Sequence, residues 1–244
     1  MAHRPELQSE RSTLTIFGQE ITLERVAGVF TPTPHSLFYA NATHVRAGER
    51  VIDIGTGSGV IAIAAAKVGA RVVATDVDPR AVAAAERNAT LNAVSIETSV
   101  GGLFAGATGA FDVILANLPN ELVAPEYLAT LSPDEARGFA GGEGGHESLV
   151  ALLDAAPRHM HARSRFYLPV YTITDYHGLL RAALTRFAVR LVAFLALPVK
   201  PYVLEHLSYY RALDEAGTIQ LLRDVTGRWC AYDYVYELTL HRAY

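Results

Sequence analysis

Two carboxylates and three glycines carry the clearest chemical spacing in this chain. Asp53 precedes Gly55, Gly57 and Gly59, and Asp76 stands nineteen residues beyond Gly57. A dinucleotide fingerprint puts its third glycine three places after the second. Here that place is Val60, and the third glycine is Gly59. The turn Gly-Thr56-Gly-Ser-Gly therefore lacks the glycine that seats a pyrophosphate on the following helix. Asp76 can accept hydrogen bonds from two ribose hydroxyls. Asp53, beside the turn, suits a ligand ammonium better than a phosphate. The pattern asks for a ribose and an ammonium without a phosphate.

The flanking residues supply the frame for such a site. Residues 51–54 form a short apolar run, 60–68 are rich in Ala and Ile with no breaker, and 71–74 are β-branched again. Gly69 sits where a helix C-terminus favours a left-handed residue. Strand, glycine turn, helix and strand make half of a nucleotide-binding βαβ unit. Adenosine joined to an amino acid without phosphate describes S-adenosylmethionine.

The remainder alternates strands and helices. Residues 1–12 are polar and read as disordered. Residues 13–26 read as a hairpin around Gly18-Gln19, 28–34 as extended, and Ser36 as the N-cap of a helix through His44. Pro79 opens a helix to about Asn92. Strands follow at 94–100 and 111–116, and the latter delivers Asn117-Leu118-Pro119-Asn120 at its carboxyl end. In open α/β sheets, ligands bind outside that end. Residues 121–145 read as weakly structured. Helix 147–156, strand 166–173, helix 175–187 capped by Asp175, strand 189–197, a mostly helical stretch 202–222 and strand 229–240 complete the order.

Composition sets outer limits. The chain has 244 residues, 50% of them hydrophobic, and a net charge of −4. Lys67 and Lys200 are its only lysines, a poor footprint for a nucleic-acid backbone. Cys230 is alone, so no disulfide framework or thiolate zinc site is expected. No metal is expected either. The first residues lack the apolar core of a signal peptide, and 191–199 are too short to span a bilayer. A cytoplasmic, membrane-free monomer or homodimer is the expectation.

Over residues 31–179, these motifs resemble the class I S-adenosylmethionine-dependent methyltransferases. The resemblance implies an α/β, Rossmann-like fold: a seven-stranded, mostly parallel, doubly wound sheet with a reversed last strand. It divides the chain into an N-terminal extension, 1–45, of hairpin plus helix, and a methyltransferase domain, 46–244, with a lid insertion at 200–227. S-adenosylmethionine would be held by Asp53, Gly55, Thr56, Gly57, Gly59, Asp76, Val77, Gly102, Leu103 and Asn117. The Asn-x-Pro turn narrows the resemblance to the HemK-type protein-glutamine methyltransferases, which carry Asn-Pro-Pro-Tyr there. In that motif the Asn amide and a neighbouring carbonyl accept hydrogen bonds from the target nitrogen, so Asn117 and Pro119 would serve the reaction. Residues 139–153 and 29–42 are similar to the family's glycine-rich segment with its helix and to its substrate-side segment.

This chain departs from that group in three places. Leu118 stands for the first Pro, Asn120 for the stacking aromatic, and Gly102 for an acid that contacts the adenine amine. Losing the ring removes a reason to expect an amide acceptor. The first expectation is therefore transfer to an N or O nucleophile of a small, partly apolar metabolite, with no nucleic acid. A protein-glutamine acceptor and a non-catalytic partner subunit are the alternatives. The substrate side would comprise Thr31, His35, Leu118, Asn120 and Tyr209. His35 reads either as a base or substrate contact, or as a surface or capping histidine. Tyr232, Tyr234 and Tyr236 share one face of the last strand, a pattern of core or interface.

Overall fold

A computed structural model describes residues 11–133, 135–136 and 141–241. Most of the expected disordered N-terminus, 1–10, lies outside the described residues, as does part of the glycine-rich segment. The chain begins with a hairpin of β1 (Arg11–Ile16) and β2 (Gln19–Glu24). Its loop is Phe17-Gly18, one residue earlier than the sequence suggested. Both residues have positive φ, 54° and 69°, the geometry of a type I′ turn that matches strand twist. The Phe17 amide donates to Asn41 Oδ1, which holds this non-glycine residue in place.

Helix α1 (Pro34–Ala42) starts three residues before the expected position. Thr33 is its N-cap, because Pro34 presets the first helical φ. Ser36 instead closes the capping box at the third position. Helices α2 (Val60–Val68) and α3 (Pro79–Leu91) bracket β4 (Arg71–Asp76), as the glycine and proline signals required.

The main sheet runs in the order β5 (Glu97–Val100), β4, β3 (Arg50–Ile54), β6 (Phe111–Ala116), β7 (Met160–Tyr171), β10 (Trp229–Leu240), β8 (Phe187–Pro198). Strands from β5 to β7 are parallel, and β10 is antiparallel to both neighbours. The reversed last strand is thus present. An eighth, two-residue strand, β9 (Leu222–Arg223), adds to the end of β10. This is the Rossmann-like α/β sheet.

Its two faces are covered separately. The hairpin, α1 and α2 enclose Ile16, Ile21, Tyr39, Val51, Ile63 and Val113. Helices α5 (Glu147–Ala155) and α6 (Tyr176–Leu184) cover Ile52, Ile114, Leu152, Phe166 and Leu179 on the other face. A short α4 (Pro125–Leu128), with α7 (Pro201–Glu205) and α8 (Leu207–Glu215), builds a third cluster around Leu122, Tyr202 and Tyr210. Asp175 caps α6 by accepting from Gly178, as its position suggested.

Candidate functional site

The carboxyl ends of β3, β4 and β6 open into a cleft of about 540 Å³. The glycine turn forms its floor. Gly55, Gly57 and Gly59 have φ of 70°, 54° and 83°, values that L side chains adopt only at a cost. A Cβ at Gly59 would lie 2.9 Å from Ala85, so this glycine brings α2 onto α3. At Gly57 the nearest atoms to a Cβ are those of Phe30, at 3.8 and 3.9 Å. That glycine faces the cleft, and its amide donates to Asp76 Oδ2 at 2.9 Å. Asp76 Oδ1 accepts from the Asp78 amide at 2.9 Å. Each carboxylate oxygen keeps a further lone pair for a ribose hydroxyl.

Asp53 borders the cleft but is only 1% exposed. Its Oδ2 accepts from Thr56 Oγ1 at 2.7 Å and from the Ala62 amide at 3.2 Å. Burial pushes its carboxyl up to about 6, although those two donors pull it down. A ligand ammonium would relieve that penalty.

An exposed apolar surface lies beside Asp76. Val77 is 58% exposed, and a Cβ at Gly102 would sit 3.6 Å from its side chain. Leu103 adopts φ 50° to turn the chain there. The Gly102 carbonyl accepts from Ala105, and the Leu103 carbonyl from Thr75 Oγ1. Each oxygen accepts one bond within the fold and keeps a further lone pair. Ribose acceptor, apolar face and buried carboxylate together fit an adenosyl amino acid.

Asn117 stands at the end of β6, where its Nδ2 donates to Ser36 Oγ at 3.0 Å. Its Oδ1 has no partner among the described residues. One hydrogen of the NH2 is thus used within the fold, and the carbonyl oxygen is left as an acceptor. Leu118 leans over the glycine turn, so that a Cβ at Gly55 would fall 2.4 Å from its Cδ2. Pro119 and Asn120 line the cleft, with Asn120 Nδ2 3.5 Å from the Pro169 carbonyl.

The expected substrate residues divide. His35, Leu118 and Asn120 line the cleft. Thr31 does not; it borders a separate cavity of about 150 Å³ against the hairpin. Tyr209 is also away from the cleft, with its ring packed on Tyr210. Of residues 200–227, Lys200 alone lines the cleft. Its ammonium pairs with Glu121, whose other oxygen accepts from Tyr202.

Sequence reasoning passed over Tyr171, Asp233, Glu121 and Lys200 on the cleft wall. Asp233 did carry a signal. It shares the inward face of β10 with Ala231 and Val235, a carboxylate among apolar positions. No group of three His, Cys, Asp or Glu side chains among the described residues could hold a metal. No helix among them is long and apolar enough to cross a membrane.

The family described as ribosomal protein L11 methyltransferase (PrmA) matches residues 28–134, the stretch that builds the glycine turn, Asp76 and Asn117. The match supports a class I S-adenosylmethionine-dependent methyltransferase. A relative is the ribosomal protein L11 methyltransferase of Thermus thermophilus, 39% identical over 150 residues, covering 57% of this chain and 55% of that protein. Another is a putative protein N5-glutamine methyltransferase of Methanocaldococcus jannaschii, 37% identical, covering 54% of this chain and 66% of the relative. This methyltransferase thus spans about half the length of its L11-methylating relative. A Thermus thermophilus 16S rRNA N2 G1207 methyltransferase, solved with S-adenosylmethionine and guanosine, shares the fold with TM-score 0.59. It is 20% identical and covers 98% of this chain and 52% of that one. S-adenosylmethionine is the family's cofactor. The relatives overturn the expectation of a small-metabolite acceptor, since those named for an acceptor are named for ribosomal protein L11 or for protein glutamine. The expected exclusion of nucleic acid fails with it, because an rRNA methyltransferase carries this same fold.

Proposed function

We propose that this chain transfers the methyl group of S-adenosylmethionine to a nitrogen of a protein side chain or terminus. The observation that carries this reading is the orientation of Asn117. Its NH2 donates to Ser36, so its carbonyl oxygen is left to receive an N–H. An amine or an amide presents that hydrogen, and a carboxylate does not. The bound cofactor supplies a methyl already activated by the positive sulfur, so the chain's residues have to align the nucleophile. Such alignment reaches effective molarities of about 10⁵–10⁸ M.

In this reading Asp76 holds the ribose, Val77 and Gly102 offer the adenine one apolar face, Asp53 meets the ammonium, and Asn117 aims the acceptor nitrogen. A protein acceptor is favoured over a buried metabolite because the C-terminal insertion contributes only Lys200 to the cleft. The relatives named for protein methylation support the same class. The test is incubation with methyl-tritiated cofactor and stripped total ribosomal proteins, with mass-spectrometric mapping of the label. Label on protein nitrogen, lost in Asn117→Ala while cofactor affinity persists, is the expected result. Label confined to RNA or to oxygen would overturn the proposal.

A further inference from the structure

The acceptor end of the cleft contains a histidine–carboxylate pair that the proposed function leaves unused. His35 occupies the second position of α1, and its Nδ1 lies 3.0 Å from Asp233 Oδ2. With the buried Asp233 of β10 as the acceptor, a neutral ring would carry its proton on Nδ1 and its lone pair on Nε2. Among the described residues Nε2 has no partner. The ring meets Tyr171 edge to face, with centroids 4.7 Å apart.

Tyr171 gives the second, independent observation. It is 2% exposed and lines the same cleft, yet its hydroxyl has no hydrogen-bond partner among the described residues. Leaving such a group unmade costs about 1–3 kcal/mol. A fold that keeps this hydroxyl beside an aligned histidine has left it for a partner that arrives with the substrate.

Resting on the methyltransferase reading above, we propose that His35 is the general base that takes a proton from the acceptor nitrogen. Asp233 is its positioning residue, fixing tautomer and ring orientation. Tyr171 hydrogen-bonds the acceptor. The acceptor N–H bond breaks, its electron pair stays on nitrogen as the nucleophilic lone pair, and the proton moves to Nε2. The imidazolium then returns the proton to solvent. This exceeds what Asn117 alone can do, since an amide carbonyl orients an N–H without removing its proton at neutral pH.

The titratable and charged groups around His35 come from four places. Asp233 lies on β10, Tyr171 on β7, and Lys200 with Glu121 flank Asp233 from the loops beyond β8 and β6. Burial raises the Asp233 carboxyl, and His35 draws it back down. A merely structural clamp between α1 and β10 would work as well with an imidazolium or a Gln, so two measurements separate the roles.

The first is nitrogen NMR of the full chain with labelled histidine and bound S-adenosylhomocysteine. His35, assigned by its loss in His35→Gln, should show the Nδ1–H tautomer at pH 7.5 to 8, and Asp233→Asn should scramble it. An Nε2–H tautomer, or an imidazolium persisting at pH 8, would overturn the base assignment. The second is transfer from methyl-tritiated cofactor to total ribosomal proteins. His35→Gln should lose about 10²- to 10⁴-fold in kcat, regain rate steadily as pH rises to 9, and bind S-adenosylhomocysteine within twofold of wild type. A kcat within threefold of wild type, with an unchanged pH profile, would overturn it. Should wild type bind S-adenosylhomocysteine yet label no protein, the acceptor reading fails, and the tautomer measurement alone decides His35.

Discussion

In the proposed site, Asp76 and Asp53 divide the cofactor's polar ends between an open carboxylate and a buried one, and the two should fail differently. Asp76 receives Gly57 and Asp78 within the fold and would add two ribose hydroxyls. Hydrogen bonds to a charged group contribute about 1.5–3 kcal/mol each. Asp76→Ala should therefore weaken S-adenosylhomocysteine at least 100-fold in calorimetry, and affinity near wild type would remove it from the site. Asp53 predicts a pH dependence. Its carboxyl titrates near 6, raised by burial, and must be ionised to meet an ammonium. Above 6 it already is. Below 6, binding has to expel a proton, so affinity should fall by up to about tenfold per pH unit. The same shift means that the folded state holds this proton more tightly than the unfolded chain. Asp53 thus withdraws stability as pH rises from about 4 to about 6, the reverse of a salt-bridged aspartate. Calorimetry at pH 5.5 in two buffers of different ionisation heat should register proton release. Equal heats and a flat affinity between pH 5 and 7 would exclude the pairing.

Helix α1 is the element that turns a cofactor fold into a site with an acceptor wall. From one turn and a half it presents His35, Ser36 and Tyr39 to the cleft. Its seat depends on Tyr39, whose hydroxyl donates to the Tyr167 carbonyl and accepts from the Ala116 amide, each at 2.9 Å. Tyr39→Phe would leave that buried amide without a partner and should cost about 1–3 kcal/mol in denaturant unfolding. It should also lower methyl transfer more than cofactor affinity, because Asn117 follows Ala116 directly. Equal losses in both would mean α1 serves the cofactor. Contact between α2 and α3 rests on Gly59 in the same way. Gly59→Ala forces a left-handed alanine, about 1–2 kcal/mol, against Ala85 at 2.9 Å. A clear fall in the urea midpoint is expected, and an unchanged midpoint would show that the helices can separate freely. These elements were legible to different degrees. Residues 60–68 and 111–116 read correctly because unbroken apolar runs bounded by glycines and prolines leave few alternatives. Ser36 was misplaced because Thr33 and Ser36 are both good caps, and only Pro34 decides between them.

Across the whole molecule, the cleft is assembled from positions 28 to 233. The cofactor half is local in sequence: glycine turn and Asp76 lie within one βαβ unit, so spacing alone revealed them, and Gly102 follows the next strand, where the family resemblance pointed. The acceptor half is not. His35 and Asp233 are 198 residues apart, and Glu121 meets Lys200 across another long interval. Only the reversal of β10 brings the last strand beside β7, so no local pattern could pair these side chains. Asp233 stood out as a carboxylate among apolar positions, but the three neighbouring tyrosines dominated the pattern. The same assembly yields a prediction. A ligand bound across so many segments has no comparable site in the unfolded chain, so binding should stabilise the fold as a unit. At 100 times its dissociation constant, a ligand adds about 2.7 kcal/mol. For a chain of this size each kcal/mol shifts Tm by about 2–4 °C. S-adenosylhomocysteine should then raise Tm by roughly 5–11 °C, in one transition, with Asp76→Ala abolishing the shift. A split transition in which only one part moves would mean that the acceptor wall folds independently of the cofactor half. His35 and Asp233 would then be too loosely coupled to Asn117 to act on a common nitrogen.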